Sequence, residues 1–83
     1  MPYNYSIKHL LTMKTTINFF EGSYCYDQIT TNLNVTADFI EYKLAKQYEY
    51  RATSESLWAT ICQGQKEIAR FELVYGQGLN QTN

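Results

Sequence analysis

The chain has 83 residues, of which 45% are hydrophobic and 18% are charged, and its net charge is −1 at pH 7. This length allows one domain rather than two, and the composition excludes intrinsic disorder, which needs low hydrophobicity and high net charge. Seven basic against eight acidic residues leave no basic excess, which disfavours nucleic-acid binding because phosphate neutralisation supplies most of its affinity.

We expect no membrane or export signal from the sequence. No run of 18 apolar residues occurs, so we expect no transmembrane helix and no membrane partner. The N-terminal residues lack a basic stretch followed by an apolar one, so we expect no signal peptide and a cytoplasmic location. Two cysteines are too few for a disulfide framework, and we expect both to be reduced.

The first fourteen residues fit two patterns. Apolar and polar residues alternate from Tyr3 to Ile7, which predicts a strand. Ser6 is also a suitable N-cap for a short helix that would end at Leu11. Met13 resembles a natural chain start, in which case the residues before it would be a dispensable extension. We therefore predict either an N-terminal extension or an edge strand.

Two strand-like segments follow and are joined by a turn. Residues 15–20 are β-branched and aromatic, and residues 24–31 have the composition of a returning strand. Gly22 can adopt the positive φ that the turn between them requires. Strict alternation along the second segment predicts two faces. One face carries Tyr24, Tyr26 and Gln28, and the other carries Cys25, Asp27 and Ile29.

A single amphipathic helix is predicted after this hairpin. Thr36 is a suitable N-cap, because its hydroxyl can accept a hydrogen bond from a free amide of the first turn. Ala37, Ile40, Leu44 and Tyr48 recur at intervals of three to four residues and form one apolar stripe. This stripe predicts the side of the helix that faces a sheet.

The C-terminal end of the helix is ambiguous. We predict helix through about Gln47, because residues 48–52 alternate as a strand would and could equally form the last helical turns. Phe39 and Tyr42 lie outside the apolar stripe. We therefore expect them at the surface, where they are the first candidates for contact with a partner.

A second hairpin completes the predicted domain. Residues 57–62 and 67–75 have strand composition and are separated by a turn that contains Gly64. The order strand, strand, helix, strand, strand predicts an α+β fold, with a small antiparallel sheet of about four strands and one helix packed on one face. The predicted divisions are an extension or edge strand at 1–14, a single domain at 15–78 and a polar C-terminal tail at 79–83.

No combination of residues indicates catalysis or metal binding. His9 is the only histidine, so it alone could activate Cys25 or Cys62 as a nucleophile, and nothing orients such a pair. A metal site needs three or four ligands at suitable spacing, which these residues do not supply. We therefore predict no catalytic, cofactor or metal site. The carboxylates considered for acid–base work and set aside are Asp27, Glu67 and Glu72.

Eight tyrosines are the strongest bias in the composition. Tyrosine is enriched where proteins meet partners, because it combines a rigid apolar ring with a polar hydroxyl. We therefore predict a non-catalytic protein-binding module. Small inhibitors or regulators of the phage or mobile-element type, which block a nucleic-acid-processing enzyme, have this profile. The candidate partner-binding residues are Phe39, Tyr42, Tyr24, Tyr26, Tyr50, Trp58 and Glu49.

Two alternative functions remain open at this point. The first is weak single-stranded nucleic-acid binding, in which aromatic side chains on the sheet would stack on bases. The second is a homo-oligomeric structural subunit, such as a homodimer, that pairs through a free sheet edge. The stacking platform of the first alternative would consist of Tyr24, Tyr26, Trp58 and Phe71.

Overall fold

The computed structural model describes residues 14–74 and 78–81. The predictions for residues 1–13, for residue 75 at the end of the fourth strand and for the last two residues lie outside this part of the chain. The elements in chain order are β1 (Thr15–Glu21), β2 (Tyr24–Thr31), α1 (Ala37–Arg51), β3 (Leu57–Gln63), β4 (Lys66–Val74) and β5 (Gly78–Gln81).

The strands form one antiparallel sheet in the order β2-β1-β3-β4-β5, and α1 packs on one of its faces. The predicted α+β class is therefore confirmed. The predicted number of about four strands is wrong, since the described residues form five. Both predicted hairpins are present, and they join into one sheet through the pairing of β1 with β3.

The fifth strand, β5, was not predicted. It pairs with β4, with Leu79 opposite Leu73 and Gly78 opposite Val74. Leu79 is the single large apolar residue of this four-residue strand, so no alternating pattern marks it in the sequence. Its side chain packs against the hydrophobic core. The segment predicted as a polar tail therefore contributes residues 79–81 to the sheet.

The core lies between the sheet and α1. The predicted stripe of the helix is only partly correct, because Ile40 and Leu44 are fully buried while Ala37 and Tyr48 are exposed. Burial of these apolar side chains is the main favourable term in folding a domain of this size. The core consists of Ile17, Phe19, Ile40, Leu44, Leu57, Ala59 and Ile61.

Both ends of α1 are capped by local hydrogen bonds. The Thr36 hydroxyl accepts from the Phe39 amide at 3.2 Å, as predicted. The helix continues to Arg51, four residues past the predicted end, so the last turns are helical and not a strand. Ala52 then adopts a left-handed conformation with φ of 46°, and its amide donates to the Tyr48 carbonyl at 2.7 Å.

A β-bulge in β2 makes its two faces differ from the predicted ones. Phe19 lies opposite Asp27, whereas Phe20 lies opposite Cys25, so Tyr26 is an extra residue in this strand. Tyr26 and Asp27 both turn toward α1, where Tyr26 packs against Phe19 with ring centroids 6.2 Å apart. Strict alternation failed here because a bulge inserts one residue and shifts the strand by one position.

Candidate functional site

The solvent side of α1 carries a group of aromatic side chains. Tyr42 is 57% exposed, Tyr50 is 83% exposed and Phe39 is 39% exposed. Lys46 and Glu49 lie among them, because residues three, four and seven apart share a helix face. We call this group of five residues the outward surface of α1. It contains four of the seven predicted partner-binding residues.

The charges on the outward surface are already paired. The Lys46 ammonium lies 5.7 Å from the centre of the Tyr42 ring and 3.6 Å from a carboxylate oxygen of Glu49. Pairs this exposed contribute little to stability, because water screens them. The surface therefore presents aromatic rings without a net charge that a partner would have to neutralise.

An open groove continues the outward surface toward the sheet. It runs between α1 and the β4–β5 hairpin and has a volume of about 460 Å³. Tyr42, Lys46 and Glu49 of the outward surface line it, so a partner on that surface can also reach this groove. The rest of its lining is mainly apolar and includes Ala45, Tyr48, Leu73, Val74 and Gly78.

The opposite side of α1 is held to β1 and β2 by long polar side chains. The Lys43 ammonium lies 2.7 Å from an oxygen of Asp27, and this hydrogen bond, together with the Gln28 amide, lowers the pKa of Asp27. Hydrogen bonds from Thr53 and Gln47 lower the pKa of Glu21, and the Arg51 guanidinium lowers it further. These contacts orient α1 and so direct its aromatic residues outward.

The two predicted tyrosines of β2 lie in different environments. Tyr24 is 70% exposed and lines a depression beside Arg51 and Glu55, near the C-terminal end of α1. Tyr26 is half-buried against the core, and its hydroxyl has no hydrogen-bond partner among the described residues. Burial raises the pKa of Tyr26 to about 12, with smaller contributions from Asp27 and Glu21.

Trp58 lies on the other face of the sheet, which α1 does not cover. Its ring stacks on Phe20 with centroids 4.1 Å apart and planes inclined by 9°. The Arg70 guanidinium lies 4.9 Å from the centre of the indole ring. The indole nitrogen donates to the Gly22 carbonyl at 2.7 Å. Sequence analysis missed Phe20 and Arg70, since only the strand register places them beside Trp58.

Polar side chains cover the rest of this open face. The Gln28 amide donates to Asn18 at 2.6 Å, and the Asn18 amide donates to the Thr60 hydroxyl at 3.2 Å. Arg70 forms two hydrogen bonds with Glu67, which a second bulge, at Ile68, brings to the same face. On the open face, many polar side chains are therefore hydrogen-bonded to one another, and they surround the stacked pair of Phe20 and Trp58.

The four-residue stacking platform considered in the sequence analysis does not form. Trp58 is on the open face, whereas Tyr26 and Phe71 pack against the core on the side of α1. The bulge in β2 turns Tyr26 toward α1. The alternation of β4 places Phe71 on the face opposite Arg70. Among the described residues, Phe20 and Trp58 form the aromatic pair of the open face instead.

Within residues 14–74 and 78–81, no group of three or more His, Cys, Asp or Glu side chains is placed to hold a metal ion. No helix in this part of the chain has both the length and the apolar character to cross a membrane.

Comparisons with known proteins, against protein-family models, curated proteins and solved structures, each found no match.

Proposed function

We propose that this domain is a non-catalytic protein-binding module whose partner contacts the outward surface of α1. One observation carries the proposal: the solvent side of the helix presents Phe39, Tyr42 and Tyr50 alongside its charged residues. A helix at the surface of a monomeric domain normally exposes charged and polar residues there. Exposed aromatic groups of this kind mark interaction surfaces.

The size of the surface fits this role. A standard interface buries about 800 Å² on each partner, and an aromatic side chain buries about 150–250 Å². Three partly exposed aromatic residues therefore supply on the order of half of such an interface. The adjoining groove of α1 and the β4–β5 hairpin extends the contact area. Lys46 and Glu49 would form a paired polar rim.

We further propose that binding inhibits or regulates the partner, as in small proteins of the phage or mobile-element type. The groove beside α1 is open to solvent and mainly apolar, so we expect the domain to act by covering a surface of another protein. An enzyme that processes nucleic acid is the proposed class of partner. This choice rests on the size and composition of the chain.

Affinity capture with matched variants tests the proposal. Immobilised wild-type protein is exposed to a lysate of the cells from which it comes, and retained proteins are identified by mass spectrometry. The purified partner is then titrated calorimetrically against wild type, Tyr42→Glu, Tyr50→Glu and the control Ile68→Glu. Ile68 is an exposed apolar residue on β4 and does not belong to the outward surface of α1.

The two tyrosine variants are expected to weaken binding at least about 30-fold, since interface hot spots contribute roughly 2 kcal/mol or more. Ile68→Glu is expected to bind like wild type. Equal binding by all four proteins would contradict the proposed surface, and the absence of any specifically retained protein would contradict the proposed function.

Single-stranded nucleic-acid binding is a second candidate function, which the stacked pair of Phe20 and Trp58 favours. Its test is fluorescence anisotropy of a labelled oligothymidylate at increasing salt. Binding that falls steeply with salt and that is lost in Trp58→Leu would favour this function. The pairing of Arg70 with Glu67 argues against it, because this nearby cation is already neutralised.

A further inference from the structure

Each basic side chain of α1 already lies within salt-bridge distance of a carboxylate. The three pairs are Lys43 with Asp27, Arg51 with Glu21 and Lys46 with Glu49. The helix also carries Asp38 and Glu41, and neither has an ion-pair partner within residues 14–74 and 78–81. These two carboxylates are therefore available to a cation from another molecule.

Glu41 lies beside the groove between α1 and the β4–β5 hairpin. A methyl group placed on Gly78, which lines this groove, would lie 3.6 Å from Glu41 Oε2. Because Gly78 has no side chain, it leaves space next to the carboxylate. The carboxylate of Glu41 can therefore meet a charged group that enters the groove.

The lining of the groove suits the stem of a long cationic side chain. Its apolar part includes Ala45, Leu73 and Val74, and the side chains of Tyr42 and Tyr48 add aromatic rings. Methylene groups of arginine and lysine pack on apolar surface of this kind, and their charged ends are attracted to the faces of aromatic rings. The volume of about 460 Å³ lies within the range of about 300–1,000 Å³ that is typical of ligand pockets.

Lys46 demonstrates that this side of the helix accommodates a cation. Its ammonium lies 5.7 Å from the centre of the Tyr42 ring and 3.6 Å from a carboxylate oxygen of Glu49. An aromatic ring and a carboxylate thus hold one cation at the groove. Glu41 supplies a second carboxylate there, which no cation of the described residues occupies.

We propose that this groove binds an arginine side chain of the partner protein, with the guanidinium on Glu41 and the methylene groups against Leu73 and Val74. The inference rests on the proposed function, since it names the chemistry of the segment that meets the domain beside the outward surface. Arginine fits better than lysine, because its planar guanidinium donates two parallel hydrogen bonds to a carboxylate and stacks on aromatic rings. Proteins that bind nucleic acid present such basic side chains to phosphate groups.

An NMR titration of the isotope-labelled full chain tests the proposal without the partner. The probe is a tetra-arginine peptide with blocked ends. The matched peptide contains citrulline, which has nearly the same shape as arginine but no charge. We expect the arginine peptide to cause saturable shifts of the backbone amides of Ala45, Leu73, Val74 and Gly78. The citrulline peptide should bind at least about threefold more weakly, and added salt should weaken the arginine peptide.

Two variants locate the binding site. Glu41→Gln is expected to weaken the arginine peptide roughly three- to tenfold, because it removes the charge that meets the guanidinium. Asp38→Asn is the matched control, since it removes one negative charge from the first turn of the same helix, outside the groove lining. It should bind like wild type. Absent shifts, equal affinity for the citrulline peptide, or equal weakening by both variants would overturn the proposal.

The captured partner separates this inference from the proposed function. If Tyr42→Glu weakens the partner and Glu41→Gln does not, the partner meets the outward surface without an arginine in the groove. The inference then fails and the proposed function stands. A partner that fills the groove with an apolar side chain gives this result. If no partner is retained, the proposed function fails, and the peptide titration still decides whether the groove binds arginine.

Discussion

Lys43 of α1 places its ammonium nitrogen 2.7 Å from Asp27 Oδ2 on β2. Asp27 pairs with Phe19 in the regular part of the β1–β2 register and shares the sheet face of Ile29, which is turned toward α1. The bulge lies immediately N-terminal to Asp27, so it redirects Tyr26 and leaves Asp27 facing the helix. The contact therefore links the register of an edge strand to the orientation of the helix, and hence to the direction in which the outward surface of α1 points.

Replacing Asp27 with Asn is expected to lower the free energy of unfolding at pH 7 by about 0.5–1 kcal/mol, the range for a partly exposed pair. The pKa of Asp27 is lowered from 3.8 by its bond to Lys43. Its stabilising effect is therefore present above about pH 4 and is lost as the pH falls through the lowered pKa.

Urea denaturation of both proteins from pH 7 to pH 2 measures this effect. The gap between wild type and Asp27→Asn should close at the acid end. Glu49→Gln, which removes only the exposed partner of Lys46, is the control and should change the curve less. A gap that stays constant down to pH 2 would rule out the assigned role of Asp27.

Replacing Tyr26 with Phe should leave stability at pH 8 unchanged or raise it by about 1 kcal/mol. The hydroxyl is buried without a partner among the described residues, so its removal relieves a desolvation penalty. The pKa of Tyr26 is raised from 10.0 to about 12. The wild-type protein should therefore lose stability as the pH rises from 10 to 12, because only the unfolded chain ionises readily there.

Guanidinium denaturation of wild type and Tyr26→Phe between pH 8 and pH 12 checks both expectations. The difference between the two curves isolates Tyr26 from the other tyrosines. Tyr24→Phe, at an exposed position of the same strand, is the control and should follow wild type. If Tyr26→Phe is less stable than wild type at pH 8, the hydroxyl has a favourable contact and the expectation is wrong.

Replacing Ala52 with Gly should stabilise the domain by roughly 0.5–1 kcal/mol. Ala52 has φ of 46° and ψ of 42° at the C-cap of α1, a left-handed conformation that Gly adopts without a Cβ penalty. Ala45→Gly is the matched control, since it places Gly inside the helix and should cost about 1 kcal/mol. Thermal unfolding followed by circular dichroism should show the two variants shifting Tm in opposite directions.

Replacing Leu79 with Ala tests whether β5 is part of the stable sheet. Leu79 packs against the core from the edge strand, so we expect a loss of about 1–2 kcal/mol, below that of a fully buried leucine. Asn80→Ala, an exposed change on the same strand, should have little effect. If Leu79→Ala unfolds at the same urea concentration as wild type, β5 contributes nothing to global stability.

Local patterns in the sequence predicted much of this fold. The compositions of β1, β2, β3 and β4 placed these strands within one residue of their observed bounds. Thr36 marked the start of the helix because capping depends on residues a few positions apart. The end of the helix was missed because the alternation of Tyr48 and Tyr50 resembles a strand. Phe39 and Tyr42 were expected at the surface, where both lie.

Composition and local pattern thus determined the α+β class, the four longer strands, the helix and its exposed aromatic residues. Tertiary structure alone decided the fifth strand, the two bulges, the aromatic pair of Phe20 and Trp58 and the ion pair of Asp27 with Lys43. The physical reason is the range of the forces involved. Capping and alternation act between neighbours in the chain, whereas register, bulges and edge pairing depend on hydrogen bonds between strands that the sequence does not display.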